Sequence, residues 1–422
     1  MPARIGILTY FWRDNPGTFL QAYGMLRAFQ ERFGAENVEL IDFRLERSGF
    51  RLSRNDLNPV TFLDHLRRHR LFSRCRGDHL RFSESGLVST DPKKAADFIA
   101  SLGYDAVVVG SDTVLELGGA YVRHWGGRIP VYWLPPEVPG IKIACAASAG
   151  AETGTGLDES TREVLRQSIE DFALVGVRDD ASLQLMRALG LGDDPRLARV
   201  PDPTFACDVD PGPAEALARR LGLDDGTPVI GVNLPRMDVF RELLADYRRK
   251  GYKVLSLQRN READFVARAI SPFEWAGLPR FLRLVITDRF HGSIFSLLAG
   301  TPVVAVDYKA VRYNAAGLSK TYSLLKEFGL DETNHVNLVL SDVEGAGHLR
   351  EIIDHAVESF DAARVRRCAE EMRERFRAFL SRVNGLLVPN ADNGRHASAG
   401  AGGRDRGASE SGFAGVNREG LI

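Results

Sequence analysis

The segment LVITDRFHGSIFSLLAGTPVVAVDY, residues 284–308, contains one complete unit of the fold. Its first four residues are apolar or β-branched, which predicts a buried strand. An apolar helical stretch comes next, and a second β-branched run, VVAVDY, occupies residues 303–308 after a Gly-Thr-Pro break. A strand, a helix and a second strand in this order predict parallel pairing, with the helix crossing one face of the sheet.

The same alternation continues along residues 1–385. Helical periodicity follows most strand-like runs, as in residues 18–34, where an apolar stripe lies beside a polar face. Near-continuous apolar runs are typical of strands that are covered on both faces. These runs are residues 4–10, 38–43, 105–110, 141–148, 173–178, 228–234, 252–258, 284–287 and 303–308. The pattern predicts an α/β protein with doubly wound, Rossmann-like parallel sheets.

The chain has 422 residues, more than one hydrophobic core usually holds, so we expect two domains of roughly 150–200 residues each. The Pro-, Gly- and Asp-rich segment DVDPGP marks the expected boundary. We predict one domain over residues 1–209, a second that carries DRFHG over residues 210–386, and a cleft between them. A long helical stretch, residues 361–385, could pack back across both domains. The Gly-rich composition of residues 387–422 predicts a disordered tail.

The overall charge is nearly neutral, with 55 basic and 56 acidic residues and a formal net charge of −1. This balance argues against nucleic acid or an anionic membrane as a wholesale partner. The four cysteines are far apart and form no CxxC pair, which indicates thiols in a reducing compartment. No stretch approaches the ~20 apolar residues of a membrane span, and the N-terminal apolar run is too short for a secretory signal. We expect a soluble, cytoplasmic protein.

One stretch departs from this neutral average. Residues 44–81 contain ten Arg and three His against four acidic residues. Such a surface could attract an anionic partner, for example a lipid-linked phosphate. The alternative is a solvated helix face on which Arg side chains lie along apolar neighbours.

No familiar cofactor motif is present in the sequence. There is neither a GxGxxG segment after the first strand nor a GxxxxGK[ST] segment, so dinucleotide and P-loop chemistry lose support. HExxH and paired Cys ligands are also absent, so the sequence predicts no metal and no cofactor.

The strand end in residues 287–292, TDRFHG, is the best candidate for a site. Ligands of open parallel sheets bind beyond the carboxyl ends of the strands, where helix N-termini offer unpaired N–H groups. Arg289 offers a fork of donors for a carboxylate or phosphate, and Gly292 lets the backbone approach an anion. His291 is the best general acid or base, because its intrinsic pKa is near neutrality. In the alternative reading, Asp288 caps the helix and pairs with Arg289, and His291 is an interior group.

Three further strand ends carry candidate residues. Arg178 follows the run at 173–178 and precedes two acids that could simply cap a helix and anchor it. Asn15 and Gly17 follow the first strand in a loop that could approach a ligand or form an ordinary turn. Ser111 and Asp112 follow DAVVVG in an arrangement that suits either a phosphate or an N-cap.

Taken together in order, these segments resemble the polysaccharide pyruvyl transferase family over most of residues 4–330. The segments that carry the resemblance are ILTYFWRDNPGTFLQAYGML, YDAVVVGSD, KIACAASAG, VGVRDDASLQLMRALG, VPDPTFACD and, above all, ITDRFHGSIFSLLAGTPVVAVDY. The resemblance implies a two-domain fold of the GT-B type. It also implies transfer of the enolpyruvyl unit of phosphoenolpyruvate to two hydroxyls of a sugar, which forms a pyruvate ketal and releases phosphate.

The resemblance also implies roles for particular residues. Arg178, Arg289 and His291 match donor-site positions of the family, and Lys309 or Arg312 matches a further basic contact. The N-terminal domain is then the probable acceptor side, where this chain has Thr113 and Leu115 in place of the Gln and Trp of many relatives.

The implied partners are phosphoenolpyruvate as donor and a sugar, glycan or lipid-linked oligosaccharide as acceptor. Peripheral membrane association through such an acceptor is one consequence. Two alternatives stay open at this point: a GT-B glycosyltransferase that uses a nucleotide sugar, and a non-catalytic binding protein that retains the cleft.

Overall fold

The computed structural model describes residues 2–45, 59–117, 125–126, 128–234, 241–257, 263–307, 319–337 and 345–387. Lys309, Arg312 and residues 388–422 of the predicted tail lie outside these ranges.

The described residues form two parallel sheets. The first has the strand order β3-β2-β1-β4-β5-β6-β7, and the second has the order β10-β9-β8-β11-β12-β13. All observed pairings between strands are parallel. In the first sheet the strands are β1 (Ile5–Leu8), β2 (Val38–Arg44), β3 (Phe82–Val88), β4 (Ala106–Val109), β5 (Ile141–Ala147), β6 (Phe172–Val177) and β7 (Leu197–Arg199). In the second they are β8 (Val229–Asn233), β9 (Lys253–Ser256), β10 (Phe265–Val266), β11 (Leu284–Thr287), β12 (Val303–Asp307) and β13 (His335–Asn337).

Helices connect the strands in the pattern expected for crossovers. Those of the first half are α1 (Pro16–Phe33), α2 (Pro59–His79), α3 (Pro92–Ser101), α4 (Glu159–Glu170) and α5 (Asp180–Met186). Those of the second half are α6 (Gly212–Leu221), α7 (Arg241–Arg249), α8 (Pro272–Gly277), α9 (Phe290–Ala299), α10 (Lys320–Glu327), α11 (Gly345–Glu358) and α12 (Ala362–Leu387). A 3₁₀ turn at Pro203–Ala206 follows β7. The predicted class, two Rossmann-like α/β domains in a GT-B-like arrangement, is confirmed.

The two domains share an apolar core. The ring of Phe273, at the start of α8, meets two rings of α1 edge-on, Phe19 at 5.6 Å and Tyr23 at 5.3 Å between centroids. This contact joins the first helix of one domain to a helix of the other, so the N-terminus of α1 faces the second sheet.

The last helix, α12, packs across both domains, as the sequence suggested. In the first domain, Arg382 donates to the carbonyl of Pro195 at 2.6 Å and Arg373 donates to that of Phe205 at 3.1 Å. In the second, Arg375 pairs with Glu327 of α10 at 2.7 Å. None of the described helices combines the length and hydrophobicity needed to traverse a lipid bilayer.

Candidate functional site

A cleft with a cavity volume of about 810 Å³ lies between the domains, at the carboxyl ends of both sheets. Residues after β1, β4 and β5 line it on one side, and residues after β8, β9, β10 and β11 on the other. Helix α2 contributes a further wall through Thr61, Asp64, His65, Arg68 and Phe72. Of the residues predicted from the sequence, the cleft contains Asn15, Gly17, Asp112, Arg289 and His291.

His291 lies in the first turn of α9 with 11% of its side chain exposed. Its Nε2 is 3.5 Å from Oδ2 of Asp202, at ion-pair distance. The other ring nitrogen, Nδ1, faces the start of α1, where a Cβ on Gly17 would overlap it. A residue other than glycine would therefore displace the imidazole. Two domains thus hold the His291 ring between them.

Asp202 is the buried anion beneath this ring. Nη1 of Arg178 donates to its Oδ2 at 2.6 Å, and the backbone N–H and hydroxyl of Thr204 donate to its Oδ1 at 3.0 and 2.7 Å. Burial would raise the pKa of Asp202, but the charges of His291 and Arg178 outweigh burial and hold the pKa well below its usual range. The carboxylate is therefore ionised at neutral pH.

Arg178 is not part of the cleft wall. Its side chain and that of Asp202 are each 1% exposed, and its guanidinium carbon lies 4.8 Å from the ring centroid of Phe290. Phe290 lines the main cleft on one side and a water-sized cavity with Arg178 on the other. Within the described ranges, Nε and Nη2 of Arg178 have no hydrogen-bond partner. From the sequence we expected Arg178 to bind a ligand directly. In the structure its guanidinium group pairs with Asp202 and does not line the cleft.

A different arginine faces Arg289 across the cleft. Arg289 is 43% exposed in its side chain, and its Nε lies 3.0 Å from Oδ1 of Asp288. Arg68 of α2 donates through Nε and Nη2 to the carbonyl of Asp14 at 3.1 and 2.8 Å. Burial lowers the pKa of Arg68, and the charge of Arg289 lowers it further. Guanidinium groups from both domains thus lie close enough to repel each other, a geometry that suits a ligand with several negative charges.

Glu116 is an acid of the cleft that the sequence did not single out. It follows β4 on the N-terminal side and lines the cavity with Asp112. Burial raises the pKa of Glu116 to about 7; the charge of Asp112 raises it too, and that of Lys320 lowers it. A carboxyl group with a pKa near neutrality can accept or donate a proton at physiological pH.

The remaining predicted residues have structural contacts. Oδ1 of Asn15 caps α1 by accepting from the N–H groups of Gly17 and Thr18 at 2.9 and 3.4 Å. Ser111 is fully buried and donates to Oε1 of Gln21 at 2.7 Å, away from the cleft. Asp112 accepts from the hydroxyl of Thr18 at 3.4 Å at the cleft edge.

Gly292 lies beside the cleft and is buried in the first turn of α9. A Cβ at this position would come within 2.8 Å of Oγ1 of Thr287, so packing against the end of β11 requires the glycine. Oγ1 of Thr287 accepts from the N–H of Arg289 at 3.0 Å. This contact sets the backbone from which Arg289 and His291 project.

No group of three or more His, Cys, Asp or Glu side chains that could hold a metal ion occurs in the part of the chain that the structure describes. Three residues that sequence reasoning missed, Arg68, Glu116 and Asp202, complete the site. The basic stretch at 44–81 was the one signal for Arg68. Asp202 stands in VPDPTFACD, one of the segments that carry the family resemblance, whereas Glu116 stands in no pattern that separates it from capping or loop acids.

Comparison with known proteins gives a family. A family model described as polysaccharide pyruvyl transferase matches residues 15–310. No curated protein matches the sequence significantly. Among solved structures, Anabaena HepE in complex with UDP-glucose is 13% identical, with 90% of this chain and 100% of that chain covered and a TM-score of 0.48.

Two further solved structures are similar at the same level. A putative UDP-N-acetylglucosamine 2-epimerase from Listeria monocytogenes is 13% identical, with 91% and 98% of the two chains covered and a TM-score of 0.45. ADP-heptose LPS heptosyltransferase II from E. coli is 11% identical, with 84% and 99% covered and a TM-score of 0.39.

Proposed function

We propose a reaction from the premise that this chain belongs to the polysaccharide pyruvyl transferase family. In this reaction the protein transfers the enolpyruvyl group of phosphoenolpyruvate to two hydroxyls of a sugar or glycan, which forms a pyruvate ketal and releases phosphate. The observation that carries the proposal is the cleft in which Arg68 and Arg289 approach each other from separate domains beside His291.

The donor has a carboxylate and a phosphate within a few ångströms of each other. Fixed guanidinium groups suit these anions because each offers planar, charge-assisted hydrogen bonds. We assign Arg289 and Arg68 to this clamp. Two guanidinium groups that line one cleft attract an anionic ligand together, since the ligand neutralises both.

His291 is the proton donor in this proposal. The Asp202 carboxylate lies 3.5 Å from Nε2 and orients the ring, which delivers a proton to the methylene carbon of phosphoenolpyruvate. That carbon becomes a methyl group, and the adjacent carbon becomes an oxocarbenium-like centre. A first sugar hydroxyl attacks this centre, and a second hydroxyl then displaces phosphate. Of the two hydroxyl protons, one restores His291 and the other leaves with the phosphate.

Glu116 is the base that takes the proton of one acceptor hydroxyl and passes it to the departing phosphate. It lies on the N-terminal side of the cleft with Asp112, opposite the segment that carries Arg289 and His291. This placement supports residues 1–209 as the acceptor side and residues 210–386 as the donor side. The four cysteines are free thiols, which fits a reducing compartment. We therefore place the proposed reaction in the cytoplasm.

The test measures phosphate release from phosphoenolpyruvate in the presence of an acceptor pool, together with acceptor mass. Each product should gain the mass of C₃H₂O₂. His291→Ala should lower turnover by ~100-fold or more with a modest change in donor affinity, the usual contribution of a general acid. His355→Ala, an exposed histidine on α11, is the matched control and should be unaffected.

A His291→Ala variant that keeps more than about a tenth of the wild-type rate would contradict the assigned role. Thermal shift separates the donor classes, because a ligand that binds only the folded protein raises its melting temperature. Stabilisation by nucleotide sugars but not by phosphoenolpyruvate would favour a glycosyltransferase instead. Binding without phosphate release would favour a non-catalytic protein.

A further inference from the structure

Helix α2 presents a second functional face on its outer side. Successive residues of an α-helix are rotated by about 100°, so Val60, Leu63, Arg67, Arg70 and Arg74 fall within an arc of about 80°. All five are exposed. We call these five residues the outer face of α2.

The outer face combines two exposed apolar side chains with three exposed basic ones. Val60 and Leu63 are each 48% exposed, and they are two of the five large apolar residues with such exposure in the described ranges. Arg67, Arg70 and Arg74 form no hydrogen bond or ion pair with any described residue. An arginine row next to exposed aliphatic side chains offers both cationic and apolar contacts to one partner, and an anionic lipid surface takes up both.

The opposite side of the helix is engaged in the cleft. Arg68 and Arg76 both bond to Asp14, and Asp64 pairs with Arg268 at 3.0 Å. Asp78, in the last turn beyond Arg74, lies on the same side of the helix as Val60. The arginines of this helix are therefore divided between an inner side bonded to other parts of the protein and an outer side whose guanidinium groups have no partner among the described residues.

We propose that the outer face of α2 docks this protein on an anionic lipid bilayer. Val60 and Leu63 enter the boundary between headgroups and acyl chains, and the three arginines contact lipid phosphates. Because the inner side of the same helix walls the cleft, docking brings the cleft mouth to the lipid surface. Presentation of a lipid-linked acceptor there rests on the proposed function, whereas the docking itself does not.

The experiment measures sedimentation of the full-length protein with vesicles of phosphatidylcholine alone or mixed with phosphatidylglycerol. Binding should require the anionic lipid and weaken as salt rises. Arg67→Gln/Arg70→Gln/Arg74→Gln should weaken partitioning by roughly a hundredfold, which corresponds to about 1 kcal/mol for each arginine near an anionic surface. Val60→Ser/Leu63→Ser should weaken it by roughly tenfold through lost apolar burial.

The matched control is Arg187→Gln/Arg219→Gln/Arg367→Gln, which removes three exposed arginines elsewhere and changes the net charge equally. It should keep most of the vesicle binding. Equal loss in the control would overturn the proposal, because net charge alone would then explain binding. So would absence of binding to anionic vesicles, or binding to a soluble anionic polysaccharide without binding to vesicles.

Phosphate release with a soluble acceptor provides an independent readout. The outer-face variants should keep this activity, since none of their side chains lines the cleft. Vesicle binding without any transfer activity would refute the proposed function but would support the docking proposal.

Discussion

Replacing Asp202 by Asn tests the electrostatic core of the site. The carboxylate holds Arg178 at 2.6 Å and His291 at 3.5 Å, and both Arg178 and Asp202 are 1% exposed in their side chains. Asn keeps the shape of the side chain and an oxygen for Thr204. It loses the negative charge, so the buried Arg178 loses its nearest counterion and keeps only the carboxylates of Asp112 and Asp179, at 3.9 and 4.0 Å.

The magnitude follows from this burial. Removing one partner of a buried ion pair costs about 3–5 kcal/mol of unfolding free energy when the other charge is left uncompensated. Because Asp112 and Asp179 remain near Arg178, we expect a cost at or below the lower end of this range. The pKa of Asp202 is lower in the folded protein than in the unfolded chain, so its contribution is fully present above about pH 4, the ordinary pKa of Asp. The stability gap between wild type and Asp202→Asn should therefore be complete at pH 7 and narrow as the pH falls below about 4.

Urea denaturation at a series of pH values measures this gap. Glu163→Gln, which breaks a pair between the partly exposed side chains of Glu163 and Arg166, should change stability by less than about 0.5 kcal/mol. The double variant Arg178→Met/Asp202→Leu should cost at least about 1 kcal/mol less than the sum of its single changes.

Catalysis provides the second readout for Asp202. Its loss should lower turnover more than donor affinity, because it acts on His291 and not on the clamp. A loss of stability under about 1 kcal/mol in Asp202→Asn, or strict additivity in the double variant, would refute the reasoning.

Glu116→Gln should raise the free energy of unfolding by about 1–2 kcal/mol at pH 8 and leave it unchanged near pH 4. The reason is that the pKa of Glu116 is about 7 in the folded protein, so its ionisation opposes folding as the pH rises. Urea denaturation checks this, with the exposed Glu84→Gln as control, and an equal gain at both pH values would show that desolvation is not the cause. Gly17→Ala should lower turnover by about tenfold or more with little effect on stability, because its methyl group would displace the His291 ring. Gly77→Ala, which meets nothing within 4 Å, should be silent in the same steady-state assay.

The order of strands and helices was predictable because central strands of a parallel sheet are covered on both faces. All nine apolar runs of the sequence are strands, and each run from 4–10 to 303–308 lies inside its sheet. The four strands that the sequence did not indicate, β3, β7, β10 and β13, are the four edges. An edge strand has one neighbour and partial solvent exposure, so it needs no continuous apolar run.

The position of the cleft was also predictable, since the carboxyl ends of parallel strands lie on one side of a sheet. The rule selected five residues that line one cavity in the structure: Asn15, Gly17, Asp112, Arg289 and His291. It could not say which way a charged side chain turns at its strand end. Arg178 satisfies the same rule and points to Asp202 instead.

The sequence by itself thus determined the fold class, the order of the elements and the edge of the sheets at which polar side chains collect. Only the tertiary structure decided the electrostatic partners: Arg68 opposite Arg289, Asp202 beneath His291, and Glu116 in a pocket that raises its pKa. Hydrophobic periodicity is a local property of the chain and can be read along it. Desolvation and Coulomb interactions depend on distances between residues far apart in sequence, which exist only once the two domains have packed.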